Sequence, residues 1–427
     1  MEKYIINGGK RLEGKVKVDS SKNAILPIIA GSVLTDKGVT IKNVPEISDV
    51  EKMLNIIVSL GGKVKKSDGI VFIDNSGIDN FTLTNELTKD IRASIFILGA
   101  MLSKYKKISV SYPGGCDIGR RPIDLHLAGL KTLGVKIEEE NGFINCNGEN
   151  MHSGQIYLDF PSVGATENLI MASVLLEGET IIYNCAKEPE IVDLANFINA
   201  LGGKVYGAGT SEIRIVGVKR LNGAEFTPIG DRIVAGSLMI ATTLTRGKIE
   251  LDNINPTHLL ALIDKLRKSG CKIDFFSDKI LLESKSRPKS ISFDTATYPG
   301  FPTDLQPQMS VLLSVSKGVG VITENLFETR FKHLSEMSKM GAKVITRGKI
   351  AIIEGVKSLH GADVTAFDLR GGASMVLAGL TAIGTTSIEN IKYIDRGYAK
   401  FENTLLNIGA DIKRVNSWTI FYKLQMK

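Results

Sequence analysis

Cys116 has the surroundings that most suggest reactivity in this 427-residue chain. It lies in Pro113–Pro122, PGGCDIGRRP, where three Gly and two Pro among ten residues read as a mobile loop. Arg120 and Arg121 beside it favour the thiolate, the reactive form of the group. A loop carrying such a group suits closure over a bound substrate. The other cysteines (146, 185 and 271) read as small buried apolar residues. Asp304, in GFPTDLQPQM, opens an apolar helix. It serves either as a helix N-cap or, within reach of a substrate hydroxyl, as a general base.

Cations stand where helix dipoles disfavour them. Lys22, Arg92, Arg232 and Arg370 fall at or near the starts of apolar helices. Arg121, Lys187, Arg330 and Arg396 do so for amphipathic ones. Each exposed cation there costs about 0.3–1 kcal/mol. Helix N-termini combined with side-chain cations make strong phosphate and carboxylate sites, so the set predicts an anionic ligand. The competing reading is that Asp90, Asp231, Asp368 and Asp395 cap these helices and pair with the cations.

The elements that must position these residues repeat. SLGGKV, TLGVKI, ALGGKV, KSGCKI, KMGAKV and NIGADI each place a Gly between a helix-like stretch and a strand. The glycines, at 61, 134, 202, 270, 341 and 409, are 73, 68, 68, 71 and 68 residues apart. Each reads as a left-handed helix C-cap. Before it lies an amphipathic helix such as EIVDLANFINAL, and after it a pair of alternating strands. A nearly all-apolar helix follows, such as GGASMVLAGLTAI. The unit is approximately βαβαββ, which predicts an α/β fold with sheets outside and apolar helices within. Six units divide into two lobes of three, 21–229 and 230–427. The segment 1–20 has the phase of a strand completing the C-terminal lobe.

Composition narrows the function. Apolar residues make up 43% and charged residues 23%, as in ordinary globular chains. No apolar run approaches the roughly 18 residues of a membrane span, and the N-terminus lacks a signal-peptide segment. A cytoplasmic chain without membrane insertion is expected. Net charge is +7, yet aromatics are only 6% and no block of five Lys/Arg occurs, so anionic small molecules fit better than nucleic acid. The scattered Cys and His predict no metal.

With SSKNAILPI, DIRASIFILG, PGGCDIGRRPIDLHL, SVGATENLIMA, EPEIVDLANFI, FPTDLQPQ, FETRF, DLRGGASMVLAG and IDRGY, the whole chain resembles the UDP-N-acetylglucosamine 1-carboxyvinyltransferases, a family of enolpyruvyl transferases. The resemblance implies two inside-out α/β barrels of three repeats each, closing over a cleft. It implies transfer of enolpyruvate from phosphoenolpyruvate to the 3-hydroxyl of UDP-N-acetylglucosamine, with release of phosphate and no cofactor, as the first committed step of peptidoglycan precursor synthesis. By the same resemblance, Lys22 and Asn23 serve phosphoenolpyruvate, and Cys116 protonates its methylene carbon. Arg121, Arg330, Arg370 and Arg396 hold anionic groups. Arg92, Arg121, Pro122, Ile123, Asp124, Leu125, Ser162, Val163, Asp304 and Leu326 contact the UDP-sugar, with Asp304 as base. Ser48 and Phe160 stand where several relatives carry lysine. The sister 5-enolpyruvylshikimate-3-phosphate synthase shares the fold and donor, and a non-catalytic UDP-sugar-binding paralogue is a further alternative. The Cys116 loop and SVGAT favour the nucleotide-sugar enzyme.

Overall fold

A computed structural model describes residues 2–114 and 123–416. Its described residues form six four-stranded sheets and two sets of buried helices. All six repeat glycines take positive φ, between 86° and 110°. Each ends an amphipathic helix in a conformation that a Cβ would penalise.

Every sheet has one plan. In the second repeat, Thr82–Leu83 pairs parallel with Lys107–Ser111. That strand runs antiparallel to Phe143–Asn147, which pairs antiparallel with Lys136–Glu140. Along the hairpin strands, buried and outward residues alternate, as in Ile350–Glu354. One face of each sheet therefore packs inward and the other meets solvent.

The described residues divide into two compact units, one comprising those up to Val18 and from Gly230 onward, the other those from Asp19 to Ile229. The N-terminal segment supplies two strands to the first of these. Glu2–Asn7 lies between Thr385–Glu389 and Asp411–Asn416, antiparallel to both. Glu13–Lys17 runs parallel to Lys248–Asp252 in a different sheet.

Three apolar helices pack together in each unit: Lys22–Gly31, Ile97–Tyr105 and Val163–Ser173 in one, Arg232–Leu244, Gln306–Val315 and Leu369–Thr381 in the other. Their sequences are apolar on nearly every side because neighbours surround them. Leu369–Leu380 is buried without a break. Each fully buried Leu or Ile contributes about 1.5–3 kcal/mol. One approach is close enough to demand Gly99, where a Cβ would lie 2.1 Å from the Asn168 carbonyl oxygen.

Candidate functional site

Within the unit that contains residues 230–416, Asp304 sits in the 3-10 turn Thr303–Leu305, which leads into the helix Gln306–Val315. It does not cap that helix. Its Oδ1 instead accepts from Arg330 Nη2 at 2.7 Å, and its Oδ2 from Arg370 Nη2 at 3.0 Å and Nε at 3.3 Å. The two arginine side chains are 2% and 3% exposed, against 28% for Asp304. The carboxylate thus bridges two buried guanidiniums and compensates their charge in the interior.

Each guanidinium is held from behind. Arg330 Nη2 also donates to the Thr303 carbonyl, at 3.3 Å. Arg370 lies in the first turn of Leu369–Thr381, whose N-cap Asp368 accepts from the Arg370 and Gly371 amides. Arg370 also stands 5.5 Å from the centre of the Tyr398 ring. The Tyr398 hydroxyl shares a hydrogen bond with Ser237 Oγ at 2.8 Å, and Gln308 Nε2 donates to both. Burial opposes the charge of Arg370, but Asp304, Tyr398 and Asp231 outweigh it and raise its pKa. Two buried donors, Arg330 Nε and Arg370 Nη1, have no hydrogen-bond partner among the described residues. Buried N–H groups of this kind fit an anion.

Other charged residues of this unit have partners of their own. Asp231 caps Arg232–Leu244 through the Ile233 and Val234 amides, and buried Arg232 stands 5.7 Å from the Tyr298 ring. Arg396, also buried, ends the 3-10 helix Ile391–Arg396. Asp395 pairs with Arg414 at 2.9 and 2.7 Å. Arg330 and Arg396 precede the helices His333–Lys339 and Phe401–Asn407 by three and five residues rather than opening them. Their positions come from turns, which helix periodicity does not report. His333 is buried, and its Nδ1–H donates to the Arg330 carbonyl at 3.1 Å. Burial pulls it down to about 4, so it is neutral near pH 7.

In the other unit, Lys22 opens Lys22–Gly31 and its Nζ lies 2.9 Å from Asp49 Oδ2. Asp49, almost fully buried, is in the first turn of Ser48–Ser59. Asn23 follows Lys22 and is half-buried. Arg92 opens the 3-10 turn Arg92–Phe96. His126 is held down to about 3 by burial and by Arg92, and adds no positive charge. Its Nδ1 faces Asn168 Nδ2 at 3.0 Å, while Asn168 Oδ1 accepts from the Gly99 amide at 2.6 Å. Ser162 caps Val163–Ser173 through the Ala165 amide. Ile123 is buried, Asp124 is exposed at the start of Asp124–Thr132, and Leu125 is half-buried. Cys116, Arg121 and Pro122 lie outside the described residues.

The structure therefore brings Asp304, Arg330 and Arg370 together within one unit, and joins Lys22 to an acid in the other. Leu326 lies in the loop ahead of Arg330, its amide donating to Glu324 Oε1. Asp231 and Asp368 do cap helices, and Asp395 pairs with Arg414 rather than acting as a cap. Sequence reasoning passed over Asp49, Asn168, Glu324 and Tyr398. Asn168 carried a signal, as a polar residue amid the apolar run of SVGATENLIMA. Asp49 resembled an ordinary acid in a first helical turn.

Residues 6–405 match the family EPSP synthase (3-phosphoshikimate 1-carboxyvinyltransferase). Among curated proteins, UDP-N-acetylglucosamine 1-carboxyvinyltransferase 2 of Caldanaerobacter subterraneus subsp. tengcongensis is 47% identical over 97% of this chain and 100% of its own. The protein of the same name from Carboxydothermus hydrogenoformans is 48% identical with the same coverage. Among solved structures, the enolpyruvyl transferase NikO from Streptomyces tendae superposes with a TM-score of 0.87 at 22% identity, covering 97% of this chain and 99% of NikO. That likeness bears on the fold.

Proposed function

Because this chain belongs to the UDP-N-acetylglucosamine 1-carboxyvinyltransferases, within the EPSP synthase family, we propose that it transfers enolpyruvate from phosphoenolpyruvate to the 3-hydroxyl of UDP-N-acetylglucosamine. Phosphate leaves, and the product enters peptidoglycan precursor synthesis in the cytoplasm. Among the described residues, no helix is long and apolar enough to cross a membrane.

The observation that carries this reading is the buried Arg330–Asp304–Arg370 cluster with its two unpartnered N–H donors. Lys22 and Asn23 take the anionic groups of phosphoenolpyruvate, and Arg121 and Arg396 add positive charge. Arg92, Pro122, Ile123, Asp124, Leu125, Ser162, Val163 and Leu326 line the nucleotide sugar. Cys116 delivers a proton to the methylene carbon, which leaves an oxocarbenium-like centre at the adjacent carbon. Asp304 takes the proton of the 3-hydroxyl, and the sugar oxygen then bonds to that centre. Loss of a proton from the new methyl group and departure of phosphate restore the double bond. Cations fixed in place before the reaction stabilise the charge that develops, with little reorganisation.

The ion pairs give Asp304 a condition for acting as a base. Both of its oxygens are engaged by guanidiniums, so its basicity rises when an arriving anion draws one of them away. The free donors Arg330 Nε and Arg370 Nη1 let the anion bind before those pairs break.

Phosphate release from phosphoenolpyruvate tests the reading. Release is expected with UDP-N-acetylglucosamine and not with shikimate-3-phosphate. Release only with shikimate-3-phosphate reassigns the acceptor, and silence with both leaves a chain that binds without turnover.

A further inference from the structure

Glu324 follows the strand Val319–Thr323 and is buried. Its carboxylate accepts four hydrogen bonds from three separate segments. Oε1 receives Thr295 Oγ1 at 2.8 Å, the Leu326 amide at 2.9 Å and the Phe327 amide at 3.2 Å. Oε2 receives Thr303 Oγ1 at 2.9 Å. Having given its proton to Glu324, the Thr295 hydroxyl accepts from the Asn325 amide at 2.9 Å, and Asn325 Nδ2 donates to the Thr295 carbonyl at 3.0 Å. The carboxylate thus ties the turn that carries Asp304 to the loop that carries Leu326. A buried ionic acceptor with four donors is a stiff junction, since releasing any donor leaves a polar group without a partner.

We propose that Glu324 is a positioning residue for the acceptor sugar, fixing the Asp304 turn against the Leu326 loop without touching the substrate. The inference rests on the assignment of Asp304 and Leu326 to the UDP-sugar. Lys22 and Asn23, assigned to phosphoenolpyruvate, belong to the other unit, whereas the four donors to Glu324 are Thr295, Thr303, Leu326 and Phe327, all of its own unit. The effect of loosening the junction therefore falls on one substrate more than the other.

Three variants separate positioning from general stability. Thr303→Val keeps the shape of the side chain but cuts the link to the Asp304 turn. Glu324→Ala removes every link. Glu324→Gln keeps an oxygen for Thr295 and the two amides, and its amide nitrogen can donate to a reversed Thr303 hydroxyl. Steady-state kinetics, with folding checked by circular dichroism, should show KM for UDP-N-acetylglucosamine raised about tenfold or more in Thr303→Val and Glu324→Ala. KM for phosphoenolpyruvate should stay within about twofold, and Glu324→Gln should return close to the parent values. Equal rises in both KM values, or no rise in either, overturn the proposal. If Glu324→Ala fails to fold, Thr303→Val decides. A parent protein inactive with the nucleotide sugar defeats the assigned function, and this inference with it. An active parent with unaffected variants defeats this inference alone.

Discussion

Asp304 makes a stability argument as well as a chemical one. Its charge holds two buried guanidiniums, and losing one partner of a buried pair leaves the rest uncompensated. Asp304→Ala should destabilise the fold by about 3–5 kcal/mol, whereas Asp304→Asn, still an acceptor, should cost markedly less. Both should lower kcat by about 10²-fold or more if the side chain moves a proton. Denaturant unfolding and turnover of the same preparations check the two claims. Parent-like stability of the Ala variant would show that Asp304 does not hold the arginines, and equal destabilisation by both variants would assign the hold to its charge rather than to its oxygens as acceptors. Normal turnover in the Asn variant would remove Asp304 as a base.

At the scale of elements, Pro189–Ala200 carries a charge inside the protein. Asp193, on this helix, accepts from the Ile229 amide at 3.0 Å. Burial, helped by Glu190 and opposed by the Ile229 amide, holds it up at about 7. Glu167, on Val163–Ser173, is held well above the usual carboxylate range by burial and by Glu190 and Glu188. Asp193 binds its proton more tightly in the folded chain than in the unfolded one. Its contribution to stability is therefore full below about pH 4 and is lost as pH rises through 7. Asp193→Asn retains an acceptor for Ile229 and removes that loss. Its advantage should grow from pH 4 to pH 7 and then level off at about 4 kcal/mol. Thermal unfolding across pH 4–8 measures this, and an advantage independent of pH would assign the effect to packing.

At the scale of the molecule, sequence order and structural unit part company. Glu2–Asn7 is an interior strand of a sheet otherwise made from residues beyond 362, and Glu13–Lys17 is paired with Lys248–Asp252. A fragment of residues 230–427 therefore lacks an interior strand in one sheet and an edge strand in another. It should fail to fold cooperatively, while the same fragment with residues 1–18 joined to its N-terminus should fold. Calorimetry on the two fragments tests this. Cooperative unfolding of the shorter one would show that these strands are dispensable.

Much of this protein was written in its sequence. The six glycines announced six helix ends because only glycine reaches that conformation cheaply, and all six have it. Alternating strands and all-apolar helices announced which faces are covered, since burial sets composition at each position. The quoted motifs carried the family, which 47–48% identity over nearly the whole chain bears out. The sequence did not carry the partners of its charges. Asp304 could be read as a cap or as a base, and neither reading showed that it bridges Arg330 and Arg370, 26 and 66 residues away. Glu324 drew no attention in the sequence and joins three segments. Backbone conformation and burial are local preferences that each residue type expresses on its own. Which carboxylate meets which guanidinium depends on side chains from distant repeats arriving at one point, and only the packed chain decides that.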